Sequence, residues 1–176
     1  LPAQLLTDLT AHYAAYRAAY DAVEAALSQR KTETAESSTA MARLQMFVSH
    51  LWTAVYNRAQ RENQPVGVLG YYKLNNDGSR PNPTRREEWL EMALSVINGD
   101  ALAVADGYPP AANPSAAEVQ AVYDTAVAES DDVPAADAAY GEAQAAVAQF
   151  ARRGRRSPGE RRTIPPGTDC WFVPLR

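Results

Sequence analysis

Between Pro2 and Pro65 the chain contains neither glycine nor proline, and that absence constrains the fold more than any other feature. Within it, apolar or aromatic side chains return at Leu9, Tyr13, Tyr16, Tyr20, Val23 and Leu27. The steps alternate between four and three, the spacing of one seam along a coiled-coil-like helix. The same phase resumes at Met41, Leu44, Val48, Leu51 and Val55, while the seam positions between, Arg30, Thr34 and Ser37, are polar. A turn has no reason to preserve heptad phase. The favoured reading is therefore one helix of about 60 residues, roughly 90 Å long at 1.5 Å per residue. The alternative is a helical hairpin turning near Lys31 to Ser38, with Ser37, Ser38 or Thr39 as the cap of the second helix.

Composition points the same way. The 34 alanines far outnumber the 13 leucines, and three Phe, three Trp and nine Tyr must supply the bulk of any core. Thin helices that pack closely suit such a set, and a sheet sandwich does not. A length of 176 residues fits one domain.

Pro65 to Pro83 (PVGVLGYYKLNNDGSRPNP) is the clearest connector, with an Asn-Asp-Gly turn, and helical structure is expected to stop there. Two later helices open with one device. Asn82-Pro83-Thr84-Arg85-Arg86-Glu87 and Asn113-Pro114-Ser115-Ala116-Ala117-Glu118 both read Asn-Pro followed by a Ser/Thr-x-x-Glu capping box. The first predicts a helix over 84–106, with Leu90, Leu94, Ile97, Ala101 and Val104 on its seam and Trp89, Ala93 and Val96 beside them. It has a soft point at Asn98-Gly99 and a stop at Asp106-Gly107. The second opens a seam through Val119, Val122, Ala126, Glu129, Val133, Ala136, Tyr140, Ala143, Val147 and Phe150. Phase continues across Pro134, which implies a kinked helix or two stacked helices and no reversal. The expected architecture is all-α: an elongated antiparallel bundle over residues 1–151, with connectors at 65–83 and 107–113. The long N-terminal helix packs against the 115–151 helix, the 84–106 helix adds a third layer, and an extended basic tail follows over 152–176.

Trp89-Leu90, Asn98-Gly99-Asp100-Ala101, Gly107-Tyr108-Pro109-Pro110 and Asn113-Pro114-Ser115-Ala116-Ala117-Glu118-Val119 resemble segments of a group of alanine-rich bacterial helical-bundle proteins. The likeness covers residues 1–150 and is strongest over 85–125. It implies a long amphipathic helix, a short helix, a Gly/Pro turn and an Asn-Pro-Ser-Ala-Ala-Glu-Val helix start. The group has no assigned activity, so the resemblance implies architecture and no chemistry, and Pro134 and the tail after Phe150 depart from it.

The chemistry-bearing residues form no familiar constellation. No Glu-x-x-His occurs, and a helix-bundle di-iron site carries that motif twice. On one continuous helix His12 and His50 would lie roughly 57 Å apart, whereas a hairpin would bring them within a turn of each other. Cys170, the single cysteine, has no base placed beside it and reads as a packed terminal thiol; one cysteine makes no internal disulfide. GVLGYYKLNNDG has neither the Walker nor the dinucleotide glycine spacing. Glu129, Asp131 and Asp132 before Val133-Pro134 read as a place where a helix stops and restarts. Tyr13, Tyr16 and Tyr20 form a stripe that could stack a flat ligand, but their seam spacing points to core or partner-helix contact. No metal or cofactor is expected.

Charge is uneven. The net charge is −4, yet from residue 151 onward seven Arg face only Glu160 and Asp169, a sum of +5 that leaves −9 on residues 1–150. Arg152, Arg153, Arg155, Arg156, Arg161 and Arg162 could contact phosphates or an acidic protein face, with Gly154, Pro158 and Gly159 expected to prevent a stable basic helix. An acidic body repels nucleic acid, so protein contact ranks first, with Trp171 and Phe172 as apolar anchors. No stretch is long and apolar enough for a membrane span, so the chain is expected to be soluble, and a start at Leu1 leaves room for a removed leader. The function this points to is a non-enzymatic structural or assembly subunit, a homo-oligomer or part of a filament, envelope structure or phage-like particle. The alternatives are an adaptor whose tail binds nucleic acid and a small-ligand binder using Tyr71, Tyr72 and the 65–83 loop.

Overall fold

The structure, a computed structural model, describes residues 3–155. Four helices follow in order: α1 (Ala3–Arg61), α2 (Gly67–Tyr71), α3 (Arg86–Ala105) and α4 (Ala116–Arg155), with no strand among the described residues. The run without breakers is a single 59-residue helix, and the hairpin alternative is excluded. Ser37 caps nothing. It is buried inside α1 and accepts a hydrogen bond from Arg86 Nη2 at 2.9 Å. The α1 helix stops where the chain reaches Asn63, whose φ of 50° allows Gln64 N–H to bond back to the Ala59 carbonyl two residues before Pro65.

Antiparallel α1 and α4 form the spine. Tyr16 stands against Phe150, Arg30 against Asp137, and Phe47 and His50 against Pro114 and Glu118. The α4 helix is continuous from Ala116 through Pro134 and Gly154 to Arg155. Glu129, Asp131 and Asp132 therefore do not mark a stop and restart, and Gly154 does not end the helix. Proline removes one backbone bond, but the seam on both sides of it still faces α1, with Ala136 buried just beyond.

The core lies at one end of this spine. Met41, Leu44, Val48, Leu51, Trp52 and Val55 of α1 and Val119, Val122 and Ala126 of α4 close over Ala93, Val96 and Ala103 of α3, with Val68, Leu69, Tyr72 and Leu74 underneath. The connector is not free of helix, since Gly67–Tyr71 makes one short turn that delivers Val68 and Leu69 to the core.

Two expectations for α3 are corrected. The helix begins at Arg86, and the carboxylate serving its first turn is Glu88, which accepts from the backbone N–H groups of Thr84 (2.7 Å) and Arg85 (3.1 Å). Glu87 has no part in it. The buried stripe is Ala93, Val96, Gly99, Asp100 and Ala103, one residue ahead of the expected seam and so about 100° around the helix. Leu94, Ala101 and Val104 are exposed, and Leu90 and Ile97 are half-buried. The smaller side chains face inward because α3 presses directly on the α2 backbone. A β-carbon at Gly99 would stand 1.8 Å from the Tyr71 carbonyl oxygen. What reads in sequence as a soft point is a closest-approach position.

Both ends of α3 and the start of α4 use local hydrogen bonds. Gly107, at φ 89°, lets Tyr108 N–H reach the Ala103 carbonyl at 3.0 Å and Gly107 N–H the Val104 carbonyl, a Schellman closure. At α4 the expected box is complete. Ser115 N–H donates to Glu118 Oε2 at 2.8 Å and Glu118 N–H to Ser115 Oγ at 3.2 Å.

Glycines 99 and 141 make opposite predictions. Gly141 also lies inside a helix, α4, but a β-carbon there meets nothing within 4 Å. Gly141→Ala should raise stability by up to about 1 kcal/mol through helix propensity alone. Gly99→Ala should lower it by at least about 1–3 kcal/mol, because overpacking outweighs the same propensity gain. Urea denaturation of the two variants checks both; a stabilised Gly99→Ala would contradict the close approach of α2 to α3.

Candidate functional site

Three features stand out as candidates, and each is built by a different part of the sequence. The first is a buried polar cluster. Tyr72, at the end of α2, is fully buried and donates from its hydroxyl to Asp100 Oδ1 at 2.6 Å, while Ala111 N–H donates to the same oxygen at 2.7 Å. Trp52 Nε1 donates to the Tyr72 carbonyl at 2.8 Å, and Arg58 Nη1 to the Pro110 carbonyl at 2.6 Å. Burial pushes the Tyr72 hydroxyl well above its ordinary range and the bond to Asp100 pushes it further, with Arg58 pulling the other way. The cluster joins α1, α2, α3 and the 108–112 loop. A phenol held neutral and a carboxylate engaged by two donors describe a clamp.

The second is an open groove of about 490 Å³ between α2 and α3, lined by Gly67, Gly70, Tyr71, Lys73, Ser95, Asn98, Gly99 and Leu102. The ligand-binding alternative named Tyr71 and Tyr72. Only Tyr71 lines the groove, its hydroxyl donating to Asp106 and its ring 6.3 Å from that of Tyr108. Tyr72 points into the core.

The third is the arm formed by α1 residues 3–36 and α4 residues 127–155, which projects beyond α3. At its base Arg86 Nη2 donates to Ser37 Oγ and, at 3.3 Å, to the Ala126 carbonyl, tying α1, α3 and α4 together where the third layer ends. Beyond that point two helices remain among the described residues. Their contacts include an ion pair of Arg30 with Asp137, Arg30 over the Tyr140 ring at 5.4 Å, and the edge-to-face pair of Tyr16 and Phe150 at 6.3 Å. Ala136 is the one buried residue among the described residues of the arm. Leu9 is 66% exposed, Tyr13 65% and Tyr20 47%, although all three occupy seam positions. Sequence patterning identifies the seam but not its exposure, because exposure depends on how far α3 reaches along α1.

Glu33, Glu129 and Asp132 converge on the arm, with carboxylate oxygens within 4.8 Å of one another. Arg30 and the Arg17–Asp21 pair, 3.2 Å apart, lie further along it. His12 and His50 stay far apart on one helix; His12 Nδ1 lies 2.8 Å from the Asp8 carbonyl, and His50 is exposed near Pro114. Of the expected partner-binding residues, Arg152 is exposed in the last turn of α4, and Arg153 and Arg155 occupy the same turn. Arg156, Arg161, Arg162, Trp171 and Phe172 lie outside the described residues, as does Cys170. Among the described residues no helix is long and apolar enough to cross a membrane. No family model, curated protein or solved structure matches this chain.

If the polar cluster is a clamp, Tyr72→Phe should cost about 1–3 kcal/mol at neutral pH by leaving Asp100 with one donor fewer. The raised hydroxyl pKa favours the folded state wherever the phenol is protonated in both states. That stability is complete below the ordinary tyrosine range and is lost as pH rises above about 10. Stability curves of the two proteins should therefore converge with rising alkalinity; a gap that widens there would contradict the assignment.

Proposed function

We propose that this chain is a non-enzymatic assembly subunit, in which the three-layered end is a folding core and the two-helix arm is the surface that engages another protein. The observation that carries this reading is the burial along α1. The stretch from Ser37 to Ala59 contains nine buried residues, whereas residues 3–36 of the same helix, in the same heptad phase, contain none. Soluble proteins rarely leave a long apolar stripe uncovered without a partner for it. Tyrosines at Tyr13, Tyr16 and Tyr20 suit such a contact, since they bury large area and keep a polar tip for the rim. The basic end of α4 keeps nucleic acid as the rival partner, although the acidic residues along the arm weigh against it.

The experiment is a native mass measurement of the protein in an extract of its source, beside a Tyr13→Glu/Tyr20→Glu double variant. The proposal expects a particle heavier than the 19.1 kDa chain for the wild type and loss of that particle in the variant, with its thermal melt intact. A 19.1 kDa species in both, or an assembly indifferent to the two substitutions, would overturn it.

A further inference from the structure

Resting on the reading of the arm as a docking surface, we infer that its partner is the arm of a second copy of this chain, packed antiparallel so that two helix pairs form one four-helix bundle. Three observations on the arm bear on this. The first is shape. Two helices cover their seam only in part, leaving Leu9, Tyr13, Tyr16 and Tyr20 exposed, and the element that covers the rest with the fewest new requirements is another helix pair of the same length. Four helices at shallow crossing angles can bury seam positions that two leave half-exposed. A two-fold axis makes one self-complementary patch serve both sides.

The second is charge. Near its base the arm carries the converging carboxylates of Glu33, Glu129 and Asp132, with Asp131 next to them in sequence. Its tip carries the arginine turn that includes the exposed Arg152. Parallel pairing would set carboxylates against carboxylates and arginines against arginines. Antiparallel pairing sets each tip against the other copy's base, and that arrangement alone is attractive at both ends. Arg152 lies about 30 Å along α4 from Asp132 at 1.5 Å per residue, so the arms overlap by that distance and the axis falls midway, near Glu142.

The third is the register that this axis implies. Opposite Glu142, α1 presents Glu24–Ala25, given that Arg30 faces Asp137 and Tyr16 faces Phe150. An axis there places Tyr20 of one copy within a turn of Leu27 of the other, and Tyr13 within a turn of Thr34. The alignment set by the charges thus brings the bulky tyrosines of one seam close to smaller residues of the other. The polar seam stretch of Arg30, Thr34 and Ser37, which interrupts the apolar pattern in sequence, becomes the receiving ground for the partner's aromatic tip.

The test uses the purified full chain. Sedimentation equilibrium from low-micromolar to near-millimolar concentration should show a species of twice the 19.1 kDa chain mass. Tyr13→Glu/Tyr20→Glu should return it to monomer without loss of helical signal, and raised salt should shift the balance toward monomer. Orientation is read from spin labels placed singly at Glu24→Cys and Asp8→Cys in a Cys170→Ser background. The antiparallel dimer expects a short separation at position 24, on the order of the 10 Å between packed helices, and about 50 Å at position 8. Short distances at both positions would overturn the antiparallel arrangement. A chain that stays monomeric when pure overturns self-pairing, and the mass of the source complex then distinguishes that failure from failure of the arm as a docking surface. A dimer indifferent to the tyrosine substitutions places the contact elsewhere and overturns both.

Discussion

Everything in this molecule hangs on the fact that α1 is longer than the structure that covers it. A 59-residue helix extends roughly 88 Å at 1.5 Å per residue, while the 20 residues of α3 extend about 30 Å. Among the described residues only α4, at 40 residues, keeps company with α1 beyond the core. The length mismatch divides one continuous helix into a half that is a core wall and a half that is an arm. Arg86, bonded to Ser37 and Ala126 at the boundary, marks where the three-layered packing ends.

Alanine content makes this arrangement workable. A helix pair rich in alanine approaches closely and loses little side-chain entropy on folding, so the arm can form with few large side chains between its helices. The same economy leaves it with little apolar area removed from water, and hydrophobic stabilisation scales with that area. Ion pairing adds little where it is solvent-exposed, as the Arg17–Asp21 and Arg30–Asp137 pairs are. The arm is held chiefly by being continuous with helices anchored in the core. The core, in contrast, has Trp52, Leu44, Leu51 and Tyr72 fully buried, with Trp52 and Tyr72 hydrogen-bonded across elements.

What was legible in the sequence was periodic. A stretch without glycine or proline and with unbroken phase reads directly as α1, and Ser115-x-x-Glu118 reads directly as the start of α4, because both are set by interactions within a few residues. Pro134 was legible to the same extent, since phase on both sides showed that the chain does not reverse. What was not legible was set by distant partners. Which face of α3 is buried depends on the approach of the Tyr71 carbonyl to Gly99, a contact 28 residues apart that no local pattern encodes. The capping carboxylate of α3 moved from Glu87 to Glu88 because the helix starts after Arg85. The exposure of the arm was hidden for the same reason: Tyr13 and Val48 occupy equivalent kinds of seam position, and the reach of α3 leaves one exposed and the other buried.

Under the proposed pairing, the arm lacks a core of its own and acquires one by association. Hydrogen exchange of backbone amides at several protein concentrations tests it most directly. At the lowest concentration, amides of residues 5–35 and 128–150 should exchange far faster than those of 44–59 and 119–126. As concentration rises, protection in the arm should climb toward that of the core while the core itself stays constant. Arm amides as protected as the core at every concentration would contradict the account, and so would protection in the arm that never responds to concentration.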